Sequence, residues 1–226
     1  MKIAESEFRN IFEDRAATYG LLARLYNREV DQHLLEELHK LPLPVNTGVA
    51  AIDEGNALMG RYLRGKEVAS CRELAVDFAR LFIIREASTR DAAYPFESVY
   101  TSRLHIMMDE ARDDIISVYR AAGLVKSKVW KEGEDHISLA LEFMQILTNR
   151  IVEGLEENNE AVVDNLLEKQ QEFLQNHLLN WVPLFVVSME ANSHTDFYRG
   201  LALFTKGFLE DDYNFLETFS AKQVTG

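Results

Sequence analysis

Apolar residues in this chain recur at steps of three and four rather than two, and that spacing restricts its fold more than any other feature. Phe8, Ile11, Phe12, Ala16, Tyr19, Leu22 and Tyr26 fall on one face of a helix with 3.6 residues per turn, the face that buries against a core. Asp31 is placed to cap a second helix through Lys40. Pro42 and Pro44 then stop it, because proline lacks an amide proton and disfavours helix in the residue before it. A third helix is predicted over 47–64. Ser70-Cys71-Arg72-Glu73 reads as a capping box opening a fourth, with Leu74, Phe78, Leu81 and Phe82 on one face. Between Ala87 and Thr101 the period is lost, and Tyr94-Pro95-Phe96-Glu97-Ser98-Val99-Tyr100 reads as an extended aromatic loop. A helix over 109–122 ends at Gly123, and a lysine- and glycine-bearing linker runs from Leu124 to Gly133. Ile137, Leu141, Met144, Thr148, Ile151 and Leu155 then mark a helix whose first turn is Glu134-Asp135-His136. Further helices are predicted over 159–178, 179–191 and 195–219, and no stretch alternates apolar and polar residues as a strand does.

The predicted fold is therefore all-α, one domain over 1–226 of about ten helices. The linker near 123–135 is compatible with a hinge between two lobes, and with a monomer or a hinge-exchanged dimer. A chain of 226 residues, 47 % of them hydrophobic, buries about 70 % of its unfolded surface and needs no staples. A lone cysteine, Cys71, cannot close an internal disulfide, and a small buried filler is its expected role. The N-terminal residues carry acids where a signal peptide needs an apolar run, and nowhere do eighteen uncharged apolar residues follow one another, so a cytoplasmic chain without an integral membrane segment is expected. A net charge of −13 repels phosphate backbones, which excludes nucleic acid and favours basic peptide segments.

Several catalytic readings fail on their own residues. Gly60-Arg61-Tyr62-Leu63-Arg64-Gly65-Lys66-Glu67 lacks the hydroxyl that a phosphate-binding loop places after its lysine, and it closes a helix instead of opening one. Of the two Glu-x-x-His pairs that a di-iron bundle requires, only Glu36-Glu37-Leu38-His39 is present, so neither a metal-dependent enzyme nor a nucleotide-binding one gains a mechanism, and no cofactor is expected. Asp135-His136 is the pair closest to an active site. Sequence neighbours rarely face each other on a helix, however, and the plainer expectation is that Asp135 caps the helix while His136 packs at its start.

Glu132-Gly133-Glu134-Asp135-His136-Ile137 with Leu139-Ala140-Leu141-Glu142-Phe143-Met144 resembles the Glu-Pro-Asp-His segment of the TorD/DmsD/NarJ family of molybdoenzyme assembly chaperones. Family members usually carry proline there, where this chain has Gly133-Glu134. Other segments follow in the family's order: Tyr19 to Tyr26, Asp77 to Phe82, Tyr94 to Tyr100, His177 to Phe185 and Phe197 to Ala202. The resemblance spans nearly the whole chain and is closest to the TorD/DmsD type. It implies a non-enzymatic chaperone that binds the apo catalytic subunit of a molybdopterin oxidoreductase and its twin-arginine signal peptide, aiding cofactor insertion and preventing premature export. A NarJ-like variant would serve a membrane-docked nitrate-reductase-type subunit. On this reading Glu97, Glu132, Glu134 and Asp135 meet the arginines, Asp135 and His136 form the centre of the client-binding site, and Phe78, Leu81, Phe82, Phe96 and Tyr100 line an apolar groove.

Overall fold

In the computed structural model the described residues are 5–65, 70–83, 92–102 and 110–224. They form ten α-helices: α1 (Glu5–Asn27), α2 (Gln32–Leu38), α3 (Ala50–Leu63), α4 (Cys71–Phe78), α5 (Glu97–Thr101), α6 (Glu110–Ala121), α7 (Ile137–Glu156), α8 (Glu160–His177), α9 (Val182–Asn192) and α10 (Asp196–Val224). The all-α expectation is met, and the only extended pairing among these residues is an isolated bridge between Phe96 and His136. Two local expectations change. The helix opened by Cys71 passes after Phe78 into a π-helical turn over Ala79–Ile83, so the Phe78–Phe82 spacing is not that of a plain α-helix. Part of the expected aromatic loop is the short helix α5. Lys66 to Ala69, Ile84 to Asp91 and Arg103 to Asp109, with the predicted loop and helix ends that fall there, lie outside the described residues.

The chain divides into two compact units, each assembled from separated segments: Met1–Tyr26, Phe96–Asn180 and Asp212–Gly226 in the first, Asn27–Pro95 and Trp181–Asp211 in the second. The expected hinge is corrected by this division, because 123–135 lies wholly inside the first unit. Gly123, at φ 75°, closes α6 with bonds from its own amide to Arg120 and from the Leu124 amide to Tyr119, a left-handed C-terminal cap that glycine permits. Beyond it, Lys126 Nζ reaches the Glu132 carbonyl at 2.8 Å and the Glu134 carboxylate at 3.1 Å. A linker tied down in this way is part of the unit's body.

The first unit is organised on the α7–α8 hairpin. Asn158 takes φ 54° in the turn, where asparagine is tolerated, and the Asn159 side chain accepts from the Val162 amide to cap α8. Ile137, Leu141, Met144, Thr148 and Ile151 of the stripe read from the sequence are fully buried on α7, as are Phe12, Tyr19, Leu22 and Tyr26 on α1. Within this core lies a polar network. The Arg15 guanidinium donates twice to Asp212, at 2.5 and 2.9 Å, and once to Gln170 at 3.0 Å. Tyr19 donates its phenol proton to Asp212 at 2.5 Å, and Gln170 donates onward to Thr148 at 2.6 Å. Burial opposes the Arg15 charge, but Asp212's charge and hydrogen bonds outweigh it and raise the guanidinium pKa.

In the second unit α3 meets the first half of α10 at backbone distance. A Cβ on Gly200 would stand 2.5 Å from the Gly55 carbonyl oxygen and 2.8 Å from the Met59 amide nitrogen, atoms that cannot swing aside. Gly200→Ala is accordingly expected to lower stability by about 1–3 kcal/mol through overpacking, read as a fall in Tm by circular dichroism; an unchanged Tm would mean that the helices separate freely. Asp77, buried on α4, accepts from the Thr195 amide at 2.8 Å, the Thr195 hydroxyl at 2.7 Å and the His194 amide at 3.1 Å. It fixes the turn where α9 ends and α10 begins. α9 starts at Val182, later than the predicted 179, because Pro183 belongs in the first turn, where its missing amide proton goes unused.

Candidate functional site

The segment 134–136 does not begin α7, as the sequence suggested: Glu134 and Asp135 lie in a turn, and His136 pairs with Phe96 in an isolated bridge just ahead of α5. The Glu97 amide donates to the Asp135 carbonyl at 3.0 Å. Ser98 donates to Asp135 Oδ2 twice, from its amide at 3.1 Å and from its hydroxyl at 2.5 Å. Asp135 therefore pins the start of α5, and the residue capping α7 is His136, whose Nδ1 accepts from the Ser138 amide at 3.1 Å. The expected roles of the pair are exchanged, because the carboxylate finds its donors across the bridge and the ring faces its own helix. Asp135 Oδ1 is buried with no hydrogen-bond partner among the described residues. It lies against Gly133, where a Cβ would come within 2.6 Å of it and 3.6 Å of the Phe96 ring. A side chain at this position would have to displace the Asp135 carboxylate, and the Gly133 carbonyl accepts from the Trp130 indole and the His136 amide.

His136 is held edge-on by Phe96 and Trp130, with ring centroids 5.0 and 5.2 Å away. Burial disfavours the imidazolium and pulls the pKa down to about 3. With Nδ1 engaged and the ring buried, His136 has neither the exposure nor the basicity of a general base, and its bonds and those of Asp135 go to different partners. The geometry is that of a structural clasp.

The other predicted residues divide between the units. Glu97 is buried, accepting from Asn180 Nδ2 at 3.1 Å and facing His177 Nδ1 at 3.2 Å. Glu134 is shared by Arg112 at 2.6 Å and Lys126 at 3.1 Å. Partial burial raises the pKa of Glu134, but the bonds from these two cations outweigh it and hold the carboxyl below its ordinary value. Glu132 is exposed, and Tyr100 is half-buried beside the buried Phe96. The structure thus brings Phe96, Glu97, Glu134, Asp135 and His136 together. Phe78, Leu81 and Phe82 belong to the second unit: Phe78 and Leu81 are buried, while the partly exposed Phe82 packs on Phe78, Phe185 and Tyr198, with centroids 5.0–6.2 Å apart. The sequence reading missed His177, Asn180, Ser98 and Trp130 as partners of the clasp. His177 and Asn180 stand about eighty residues from Glu97, and no local pattern encodes such a pairing.

Among the described residues no group of three histidine, cysteine, aspartate or glutamate side chains is arranged to hold a metal ion. His39 of the lone Glu-x-x-His pair turns its Nδ1 to the Leu35 carbonyl at 2.6 Å, and no described helix is long and apolar enough to cross a membrane. The pair that most resembles an active site is thus taken up in a backbone clasp. Residues 49–187 match the family model for the nitrate reductase delta subunit, and the chain belongs to that family. It is similar to the chaperone protein TorD of Photobacterium profundum, 28 % identical over 225 residues that cover 93 % of this chain and 97 % of the relative. The TorD chaperone of Vibrio atlanticus is 28 % identical over 212 residues, covering 90 % and 95 %. That of Vibrio cholerae serotype O1 (El Tor Inaba) is 24 % identical over 220 residues, covering 93 % and 96 %. The resemblance read from the sequence is borne out, and these relatives are named for chaperoning, not for a catalysed reaction.

Proposed function

We propose that this chain is a cytoplasmic assembly chaperone for the catalytic subunit of a molybdopterin oxidoreductase. It holds the apo subunit, in part through its twin-arginine signal peptide, while cofactor is inserted and until export is allowed. The observation that carries the reading is the similarity to TorD chaperones along 93 % of the chain. The chemistry of the clasp region supports it. A peptide with paired arginines and an apolar run needs carboxylates at the surface beside aromatic side chains. Glu132 is exposed, Glu134 carries a charge that burial does not quench, and the half-buried Tyr100 stands on α5, one turn beyond the buried Phe96. Glu97, Asp135 and His136 serve as the frame that sets these groups in place.

Calorimetric titration with the N-terminal peptide of an oxidoreductase subunit encoded beside this chain tests the reading. Binding is expected, weakened about ten-fold or more when both arginines are neutral. Equal binding of the two peptides removes the carboxylates from the mechanism. The family model's description as a nitrate reductase delta subunit favours a second reading, a client docked at the membrane without an exported leader. In that case neither peptide binds and the leaderless catalytic subunit is retained on the immobilised chaperone.

A further inference from the structure

Where the α7–α8 hairpin turns, the first unit contains a cavity of about 510 Å³ that shares no residue with the clasp. Its floor is apolar: Phe8 and Phe219, with ring centroids 4.8 Å apart, together with Leu155, Val163 and Leu167. A volume of this size accommodates a few apolar side chains and lies within the range of ligand-binding clefts. Its rim is acidic. Glu156, Glu160 and Asp164 line it against a single guanidinium, Arg9, which already lies 2.7 Å from Glu13 and 2.6 Å from Glu156. Across Gly154 a second depression adds Glu153 and Glu157, with one further cation, Arg150, beside Val162, an exposed valine. An anionic ligand would be repelled along this rim, and a purely polar one would leave the aromatic floor uncovered. A cation next to an apolar stretch satisfies both parts.

We infer that this cavity binds a short apolar stretch of a partner polypeptide flanked by lysine or arginine. The apolar side chains rest on Phe8, Phe219 and Leu167, and the cation faces Glu160 and Asp164. The site is separate from the clasp and stands whether or not a signal peptide binds there.

The probe is the capped peptide Leu-Phe-Leu-Lys-Arg, followed by fluorescence anisotropy on the full chain, beside Leu-Phe-Leu-Glu-Glu and Ser-Ser-Ser-Lys-Arg. The first is expected to bind at least about ten-fold more tightly than either control. Its binding should protect amides between 154 and 167 from hydrogen exchange, and it should weaken several-fold in Phe8→Ser and in the pair Glu160→Gln, Asp164→Asn. Circular dichroism melts check that these variants are folded, and the exchange map on the unaltered chain gives the answer independently of them. Binding no tighter than that of the acidic peptide overturns the inference. So does protection confined to other segments, or loss of binding in Asp135→Ala, which would put the peptide at the clasp. Dissociation of a dimer by Phe8→Ser would assign the cavity to a second copy of this chain and overturn it likewise.

Discussion

Asp212→Ala lowers the stability of the chain by about 3–5 kcal/mol, the range for removing one partner of a buried ion pair. For a chain of this length that is a fall in Tm of roughly 6–20 °C. Arg15 and Asp212 are both buried, and the guanidinium lies between the Phe12 and Phe215 rings, 4.9 and 5.3 Å from their centroids. Without Asp212 it keeps Gln170 and the ring faces but loses its only described carboxylate, and the Tyr19 hydroxyl loses its acceptor. The magnitude comes from the charge left behind more than from the bonds removed. A double variant, Arg15→Met with Asp212→Leu, is therefore expected to be more stable than Asp212→Ala alone. Thermal and urea unfolding of the three proteins decide the matter; a single variant within about 1 kcal/mol of the parent would mean that water reaches the guanidinium.

The second large effect is a dependence on pH that originates at His136. In the unfolded chain an imidazole titrates near pH 6.5, and in the folded chain burial lowers its pKa to about 3. Between these values the unfolded state binds the proton and the native state does not, so the group's contribution is complete above pH 6.5 and is lost as pH falls. From pH 7 to pH 5 the loss is about 2 kcal/mol, and followed down to pH 3 it reaches about 4 kcal/mol, at up to 1.36 kcal/mol for each pH unit. His136→Asn retains a side chain that can cap α7 and removes the titration. Its absolute stability drops because a ring is lost from between Phe96 and Trp130, yet its Tm falls less steeply from pH 7 to pH 5 than the parent's. Parallel slopes for the two proteins would show that the imidazole is solvated in the native state.

Much of the architecture was legible because helix periodicity is local. The stripes from Phe12 to Tyr26 and from Ile137 to Ile151 are the buried faces of α1 and α7, with Phe8, Ile11 and Leu155 partly exposed at their ends, and Gly123 closes α6 as its lack of a Cβ allows. The errors at the clasp share a cause: each concerned a residue whose partner is distant in sequence. Nothing near Asp135 says that its carboxylate will be taken by Ser98, which leaves the cap of α7 to His136. Nothing near Glu97 announces His177 and Asn180. The acids were read as a surface charge for a ligand because acidic residues in a net-negative chain usually face water. Two of them instead satisfy buried donors, and only folding reveals which. The linker from Leu124 to Gly133 looked like a hinge by composition, and the Lys126–Glu134 pair that fastens it has no signature in a window of that length.

The segmented make-up of the first unit also bears on how the molecule comes into being. Its three stretches are Met1–Tyr26, Phe96–Asn180 and Asp212–Gly226, and Asp212, the acceptor for Arg15 and Tyr19, opens the last of them. A ribosome releases the chain from its N-terminus at about 5–20 residues per second. Arg15 on α1 therefore lacks its counter-ion until residue 212 has been made. The first unit cannot be finished before then, whereas every stretch of the second has been made by Asp211, and a nascent chain stalled just short of residue 212 carries an unneutralised arginine in an otherwise assembled core.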